Sequence, residues 1–378
     1  MMRKTKITTI VGTRPEIIRM SEIIKLLDKT SEHRLIHTGQ NPAPELNSVF
    51  FKDLNLRKPD CEFDILPSSL AIYLASMFPL IEREFLENRP DGILILGDTN
   101  SALSAIIAKR MGIPVFHLEA GNRSFDSNVP EEINRRIVDH TSDFNLPYSE
   151  IARQNLLSEG LHPRFIAKMG SPLFEILKNN EDAINRSEIL KKLGYKPRSY
   201  FLASIHRQEN VDFQERLKTL LMSLSEVSIE HKLPVLISTH PRTRIKIDEL
   251  KLNLGGNLIF HDPFGFNDYI HLQKNAKVVL SDSGTISEES AILGFPAVTL
   301  RNSMERPEAL ESGVISMSGI SKDSILESIA FVLRKRPLQG VPEEYFYSDV
   351  SQRVVSLVLS TVHQIPSWKG LYAKVNLD

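Results

Sequence analysis

At 378 residues the chain is long for one hydrophobic core, and with 41% hydrophobic and 25% charged residues it predicts two ordinary globular domains. A formal net charge of -1 excludes the basic field that nucleic acid or an anionic membrane would need. A lone cysteine, Cys61, excludes an intramolecular disulfide and any multi-cysteine metal site; with no signal-peptide core and no apolar run of spanning length, a cytoplasmic protein is expected.

The first predicted strand, 7–11, is β-branched and passes through Gly12-Thr13-Arg14-Pro15-Glu16 into a helix with Ile17, Met20, Ile24 and Leu27 at helical spacing. Pro15 suits the first helical turn, where a missing N–H costs nothing. The turn is not Gly-x-Gly-x-x-Gly, so a dinucleotide fingerprint is absent. Arg14 stands where a guanidinium can reach a diphosphate or join a surface ion pair. A second strand, 34–38, runs into the loop Gly39 to Pro44. The run 92–96 closes in Gly97-Asp98-Thr99-Asn100 before a helix bearing Leu103, Ile106, Ile107 and Met111, and the strand 113–118 ends at Glu119-Ala120-Gly121. Asp98 and Glu119 therefore lie at the carboxyl ends of consecutive buried strands, the edge at which open α/β sheets bind ligands. Asp98 reads equally as a helix cap. Ala120-Gly121 is no helix start, so Glu119 reads as functional. Pro130 opens a helix whose Glu131 and Glu132 also complement its dipole. Strands at 143–147 and 165–169 complete a doubly wound parallel sheet.

The pattern pauses at Gly170-Ser171-Pro172 and in the polar stretch 178–187, where the domain crossing is expected. A second β/α series follows. Its strand 199–205 leads to His206 and to a helix with Phe213, Leu217, Leu220, Leu224 and Val227; the strand 235–238 ends in Thr239-His240-Pro241-Arg242. Two histidines at one sheet edge, with no cluster of acids or cysteines near them in sequence, do not make a metal site. Phe264 and Phe266 flank Gly265 and offer an aromatic face to a base or pack into the core. The strand 277–281 passes into Asp282-Ser283-Gly284, then a helix with Glu288 and Glu289 in its first turns. A Ser-Gly turn at a helix N-terminus is expected to leave backbone N–H groups aimed outward, which suits a phosphate, and an acid there can bond a ribose diol or serve the helix dipole.

Six motifs now stand in one order: Gly12-Thr13-Arg14-Pro15-Glu16, Gly97-Asp98-Thr99, Glu119-Ala120-Gly121, Pro130 to Arg135, Asp282-Ser283-Gly284 with Glu288-Glu289, and Glu305-Arg306-Pro307-Glu308. Together they resemble the non-hydrolysing UDP-N-acetylglucosamine 2-epimerase family over nearly the whole chain. The stretch Glu119 to Asp126, with Asn128-Val129-Pro130, is more similar to the branch that makes UDP-N-acetyl-L-fucosamine from an L-talose-configured sugar nucleotide. The resemblance implies the glycosyltransferase-B fold, two Rossmann-like α/β domains with a cleft between them. The expected division is 1–172, joined by a C-terminal helix at about 360–378, and 173–359, which would bind UDP. It also implies a homodimer, a UDP-amino sugar as substrate, and neither metal nor other cofactor.

The resemblance further implies roles. Asp98, Glu119 and Glu131 match catalytic carboxylates, and His206 a histidine assisting departure of the diphosphate. Arg14, Ser283 and Gly284 match diphosphate contacts and Glu289 a ribose contact. Arg306 and Arg19 match sugar-side or phosphate contacts, and His240 and Phe264 join the substrate-binding set. Two stretches depart from the family pattern, Pro42-Ala43-Pro44 and Pro67 to Ile72, which puts regulation by a second sugar nucleotide in doubt. A glycosyltransferase of the same architecture is the alternative reading, and a binder without turnover a further one.

Overall fold

The computed structural model describes residues 3–40, 44–65, 69–126, 129–252, 254–334 and 341–368. Residues 41–43, 67–68 and 128 of the stretches singled out above, and the last ten residues of the helix expected at about 360–378, lie outside this set. The chain divides into two compact units, Met1–Lys178 with Phe346–Asp378, and Asn179–Tyr345. The return to the first unit begins at Phe346, so the helix Val350–Thr361 belongs to that unit and not, as a boundary at 359 would have it, to the second. Among the described residues no helix is long and apolar enough to cross a membrane.

In the first unit six parallel strands, β1 (Lys6–Val11), β2 (Glu32–His37), β3 (Cys61–Glu62), β4 (Gly92–Leu96), β5 (Val115–Leu118) and β6 (Phe144–Leu146), take the order β3-β2-β1-β4-β5-β6. Every residue of β4 and β5 is buried, which is why they read as unbroken apolar runs and not as alternating ones. Ile10, Ile36, Ile93, Ile95 and Val115 pack on Met77, Ile81 and Phe85 of the helix Leu70–Glu87. The expected strand 165–169 is corrected. Its segment runs beside β6 through Ala167 N–H to Asn145 O and Met169 N–H to Pro147 O, yet forms only one bridge, Ile166 to Asn145. Pro147 has no N–H with which to continue the ladder.

The second unit holds β7 (Phe201–Ile205), β8 (Val235–Thr239), β9 (Leu258–His261), β10 (Val279–Ser281), β11 (Ala297–Thr299) and β12 (Ser316–Met317), in the order β12-β11-β10-β7-β8-β9. Both sheets thus share the doubly wound order of Rossmann folds. Each has one place where the winding reverses, between β1 and β4 in the first and between β7 and β10 in the second. A ligand crevice forms outside the carboxyl ends of the strands at such a switch point, because the two connecting loops diverge there to opposite faces of the sheet.

One helix is built inside out. Pro130–Thr141 buries Asn134, Arg135 and Asp139 and exposes Ile133 and Ile137 at 54% and 39%. A surface helix stabilised by apolar burial alone would do the reverse.

Candidate active site

In the first unit the switch point is bordered by the turn after β1, which carries Arg14, and by Gly97-Asp98-Thr99 after β4. Glu119 follows β5 next door. It is buried and sits at φ +64, a left-handed conformation that residues other than glycine adopt rarely. Gly121 at φ +80 completes the turn, and a side chain there would meet Ala152 O at 2.2 Å. The chain is therefore forced to double back, and Glu119 is carried out of the strand direction.

Arg135 explains how that geometry is held. Its Nη1 donates to the Glu119 carbonyl and its Nη2 to the Asp98 carboxylate, with Glu119 Oε1 3.3 Å from Nη2. Arg19 approaches the other oxygen, Nη1 to Glu119 Oε2 at 3.6 Å, with its guanidinium 5.4 Å over the Tyr148 ring. The two carboxylates Asp98 and Glu119 are thus gathered by one guanidinium, and Glu119 is flanked by a second. Asn134 Nδ2 donates to Asp98 O at 3.0 Å, which fixes the backbone as well. Glu131 lies half-buried one helical turn before Arg135, and Arg14 is half-buried with its guanidinium 5.8 Å over Phe50.

Behind these groups runs a layer of wholly buried charge. His117 Nε2 donates to Gly97 O at 2.7 Å and its Nδ1 lies 2.9 Å from Asp139, whose other oxygen is 2.7 Å from Arg123. Burial pushes the Asp139 carboxyl up, but the His117 hydrogen bond and the charges of His117, Arg123 and Arg135 outweigh it and hold the group below its usual range. Asp139 also accepts Gly121 N–H at 3.2 Å. The layer thereby ties the turns on which Asp98 and Glu119 sit.

Glu16 closes the front of the same edge. Its Oε2 accepts Gly12 N–H at 2.8 Å, Thr13 N–H at 2.7 Å and the Thr13 hydroxyl at 2.9 Å, while Oε1 accepts the Thr99 hydroxyl at 2.7 Å. Burial raises this carboxyl from 4.5 to about 7, the hydrogen bonds opposing only part of the effect. A raised folded-state value means that the folded protein binds the proton more tightly than the unfolded chain. The resulting stabilisation is fully present below pH 4.5 and is lost as pH rises through about 7. Glu16→Gln, fixed in the neutral state, should therefore match the wild type in urea denaturation at pH 5 and exceed it at pH 8 by on the order of 3 kcal/mol. Equal stability of the two at pH 8 would contradict the burial argument.

In the second unit the corresponding edge carries His206 after β7, His240 after β8, Asp282-Ser283-Gly284 after β10 and Arg301 to Arg306 after β11. Asp282 is wholly buried and accepts the N–H groups of His206 and Arg207, both at 3.1 Å, and Asn210 Nδ2 at 3.1 Å. His206 is exposed, with Nδ1 3.3 Å from Asp282. His240 is half-buried.

The expectation that the Ser-Gly turn leaves its N–H groups unused needs correction at Ser283 and at Thr285. Ser283 N–H donates to Ser281 Oγ at 3.0 Å and Thr285 N–H to Ser283 Oγ at 3.3 Å, because serine hydroxyls two residues away close local rings. Arginine side chains also converge beside the turn. A Cβ at Gly284 would meet Arg306 Nη1 at 2.8 Å, Arg207 Nη2 at 3.6 Å and Arg301 Nη1 at 3.7 Å. Glu305 balances Arg207 and Arg301 at 3.0 and 2.8 Å, and Glu288 balances Arg306 at 2.6 Å. Three guanidinium groups thus converge beside the N-terminus of the helix Ile286–Leu293, with the carboxylates of Glu288 and Glu305 among them. Glu289 accepts Thr285 Oγ1 at 2.8 Å and Gln273 Nε2 at 2.6 Å and stays half-buried. Phe264 is 7% exposed in a core with Leu202, Leu236 and Leu272, its ring stacked on His261 at 4.2 Å.

Sequence reasoning thus placed the carboxylates and the turn but left Arg135, Arg207, Arg301, Glu16 and Asp282 without a task. Arg135 had one visible signal, its position four residues after Glu131 on a helix that begins at the sheet edge.

Known proteins are similar to this chain over most of its length. The UDP-N-acetylglucosamine 2-epimerase family profile matches residues 25–359. The structure of UDP-N-acetylglucosamine 2-epimerase from Rickettsia bellii is 41% identical, with a TM-score of 0.89 over 96% of this chain and 98% of that one. The Methanocaldococcus jannaschii UDP-GlcNAc 2-epimerase, crystallised with UDP-GlcNAc and UDP, is 34% identical with a TM-score of 0.89 over 94% of this chain and all of that one. The UDP-2,3-diacetamido-2,3-dideoxy-D-glucuronate 2-epimerase of Pseudomonas aeruginosa is 34% identical over 359 residues, 92% of this chain and 98% of the relative. With two Rossmann-like sheets, acid groups at one sheet edge, an arginine-lined turn at the other and a match over most of its length, the chain belongs to the UDP-N-acetylglucosamine 2-epimerase family.

Proposed function

We propose that this protein inverts C2 of a UDP-2-acetamido sugar by expelling UDP and adding it back. The hydrogen on C2 is not next to a carbonyl, so its removal has to be coupled to loss of a leaving group. As a carboxylate takes the C2 proton, the C–H electrons form the C1=C2 bond and the C1–O electrons depart with UDP, leaving a 2-acetamidoglycal. UDP then re-attacks C1 while a proton is delivered to the opposite face of C2. Such a sequence needs proton carriers on both faces and a clamp on the departed UDP.

The observation that supports this most is the pairing of Asp98 and Glu119 under Arg135 at the switch point of the first unit. In this reading Glu119 and Glu131 carry the protons and Asp98 assists them. His206 protonates or hydrogen-bonds the leaving diphosphate. Arg14 with Ser283 and Gly284 holds the diphosphate, Glu289 the ribose, and Arg306, Arg19, His240 and Phe264 complete the binding set, stabilisation of the leaving charge being the largest single task. The stretch Glu119 to Asp126 supports the L-talose-configured precursor of UDP-N-acetyl-L-fucosamine as substrate over UDP-N-acetylglucosamine. A cytoplasmic homodimer is part of the same reading, with exposed Ile133 and Ile137 as apolar surface for a second copy.

Incubation in D2O with each sugar nucleotide, followed by proton NMR at C2, tests the proposal. Deuterium at C2 together with a new epimer is expected, the faster sugar identifying the substrate. Binding of both without exchange would overturn it in favour of a transferase or a binder without turnover. Arg14→Ala is expected to weaken UDP binding by about 1.5–3 kcal/mol, the worth of a charged hydrogen bond, measured by calorimetry; unchanged affinity would remove Arg14 from the clamp.

A further inference from the structure

We infer that Glu16 is the positioning residue that holds the Asp98 turn in register with the Arg14 turn across the switch point of the first unit. The inference rests on the epimerase reading above for its kinetic consequence, and on geometry for the rest. A helix N-terminus needs one acidic side chain returning to the N-cap N–H, and Glu16 makes that capping-box bond to Thr13. Glu16 does more than this. It also takes Gly12 N–H, and its second oxygen reaches Thr99, a residue 83 positions away that directly follows Asp98. Glu16 is 1% exposed, so it has no role as a solvated surface acid.

Its bond to Thr99 is a side-chain link that joins the β1 turn to the first residue after Asp98. At a switch point the two loops leave to opposite faces. Among the described residues no backbone hydrogen bond joins the Gly12-Thr13 turn to Asp98 or Thr99, and side chains connect them. Arg135 reaches the Asp98 carboxylate from behind and Asn134 its carbonyl; Glu16 fixes the front. The second unit solves the same problem in the same way, with buried Asp282 at the end of β10 accepting the N–H groups of His206 and Arg207 at the end of β7. Each switch point is spanned by one buried carboxylate.

Glutamine can replace Glu16 in this task. Its oxygen takes the three donors of Gly12 and Thr13, and its NH2 group donates to Thr99 Oγ1, whose hydroxyl hydrogen rotates away. Alanine cannot, and Thr99→Val removes the tie while leaving the helix cap untouched. Three variants, Glu16→Ala, Glu16→Gln and Thr99→Val, are therefore compared with the wild type in C2 exchange kinetics and in amide hydrogen exchange by mass spectrometry. Glu16→Ala and Thr99→Val are each expected to lower kcat by about tenfold or more with KM within about threefold, as for a misplaced reacting group. Glu16→Gln is expected to restore kcat to within about threefold of the wild type. The amides of residues 97–101 should exchange about tenfold faster in Thr99→Val, and those of the rest of the unit at unchanged rates. Unchanged exchange of residues 97–101 in Thr99→Val overturns the inference, as does a Gln variant that falls as far as Ala. If the wild type itself shows no C2 exchange, the epimerase reading has failed, and the amide measurement still decides the positioning role; Thr99→Val decides it likewise should Glu16→Ala not fold.

Discussion

Glu119→Gln should reduce deuterium incorporation at C2 by about 10²–10⁴-fold, the usual contribution of a proton-transfer group, while UDP affinity by calorimetry stays near that of the wild type. The expectation follows from how the side chain is held. Arg135 fixes the Glu119 carbonyl and approaches Oε1, Arg19 approaches Oε2, and the residue itself sits at φ +64. A backbone strain of about 1–3 kcal/mol survives only where the surroundings over-determine it. Glutamine preserves the size and the backbone contact but cannot take up a proton. It also turns an NH2 group towards one of the two guanidinium groups, so a small loss of stability is expected beside the large loss of rate. Loss of rate and of UDP affinity together would mean that the change had disturbed the fold, and an unchanged rate would remove Glu119 as a proton carrier.

Arg306→Ala is expected to have the largest effect on stability, about 3–5 kcal/mol in urea denaturation, because it removes the guanidinium from a buried carboxylate. Glu288 is wholly buried with Oε1 2.6 Å from Arg306 Nε, and Arg306 Nη1 donates to Gly284 O at 2.9 Å. The pair thus ties the helix Ile286–Leu293 to the turn that precedes it. UDP affinity should fall as well, since the turn loses its tie and its surroundings lose one of three converging positive groups. The double change Arg306→Met with Glu288→Gln separates the two effects. Removing both charges should return most of the stability, because no buried charge is then left without its partner, and UDP affinity should stay low. A double variant as unstable as Arg306→Ala would show that packing, not the uncompensated charge, dominates.

Much of the architecture was legible in the sequence because parallel strands covered on both faces are apolar at every position. β4 and β7 announce themselves as short runs, and the polar or glycine-containing turns after them mark the carboxyl edge. Reading that edge was enough to single out Asp98, Glu119, His206 and Ser283-Gly284. Edge strands β3 and β12, two residues each, were not legible, since a pair of residues carries no period. Nor was the shortfall at 165–169, where the decisive fact is a missing N–H on the neighbouring strand at Pro147.

The sequence by itself determined that there would be two doubly wound sheets, which residues would stand at their carboxyl edges, and which family the motifs resemble. Each of these depends on local period and on residue order, which the chain states directly. Only the tertiary structure decided what those residues are joined to. Arg135 meets Asp98 over 37 positions and Glu16 meets Thr99 over 83, because the strand order sets β1 beside β4 and brings the helix Pro130–Thr141 beneath their ends. The same helix could be read from its sequence as an ordinary amphipathic one. Its inward face is polar because the residues it meets there are two carboxylates and a bent backbone, and no pattern within the helix encodes what lies opposite it.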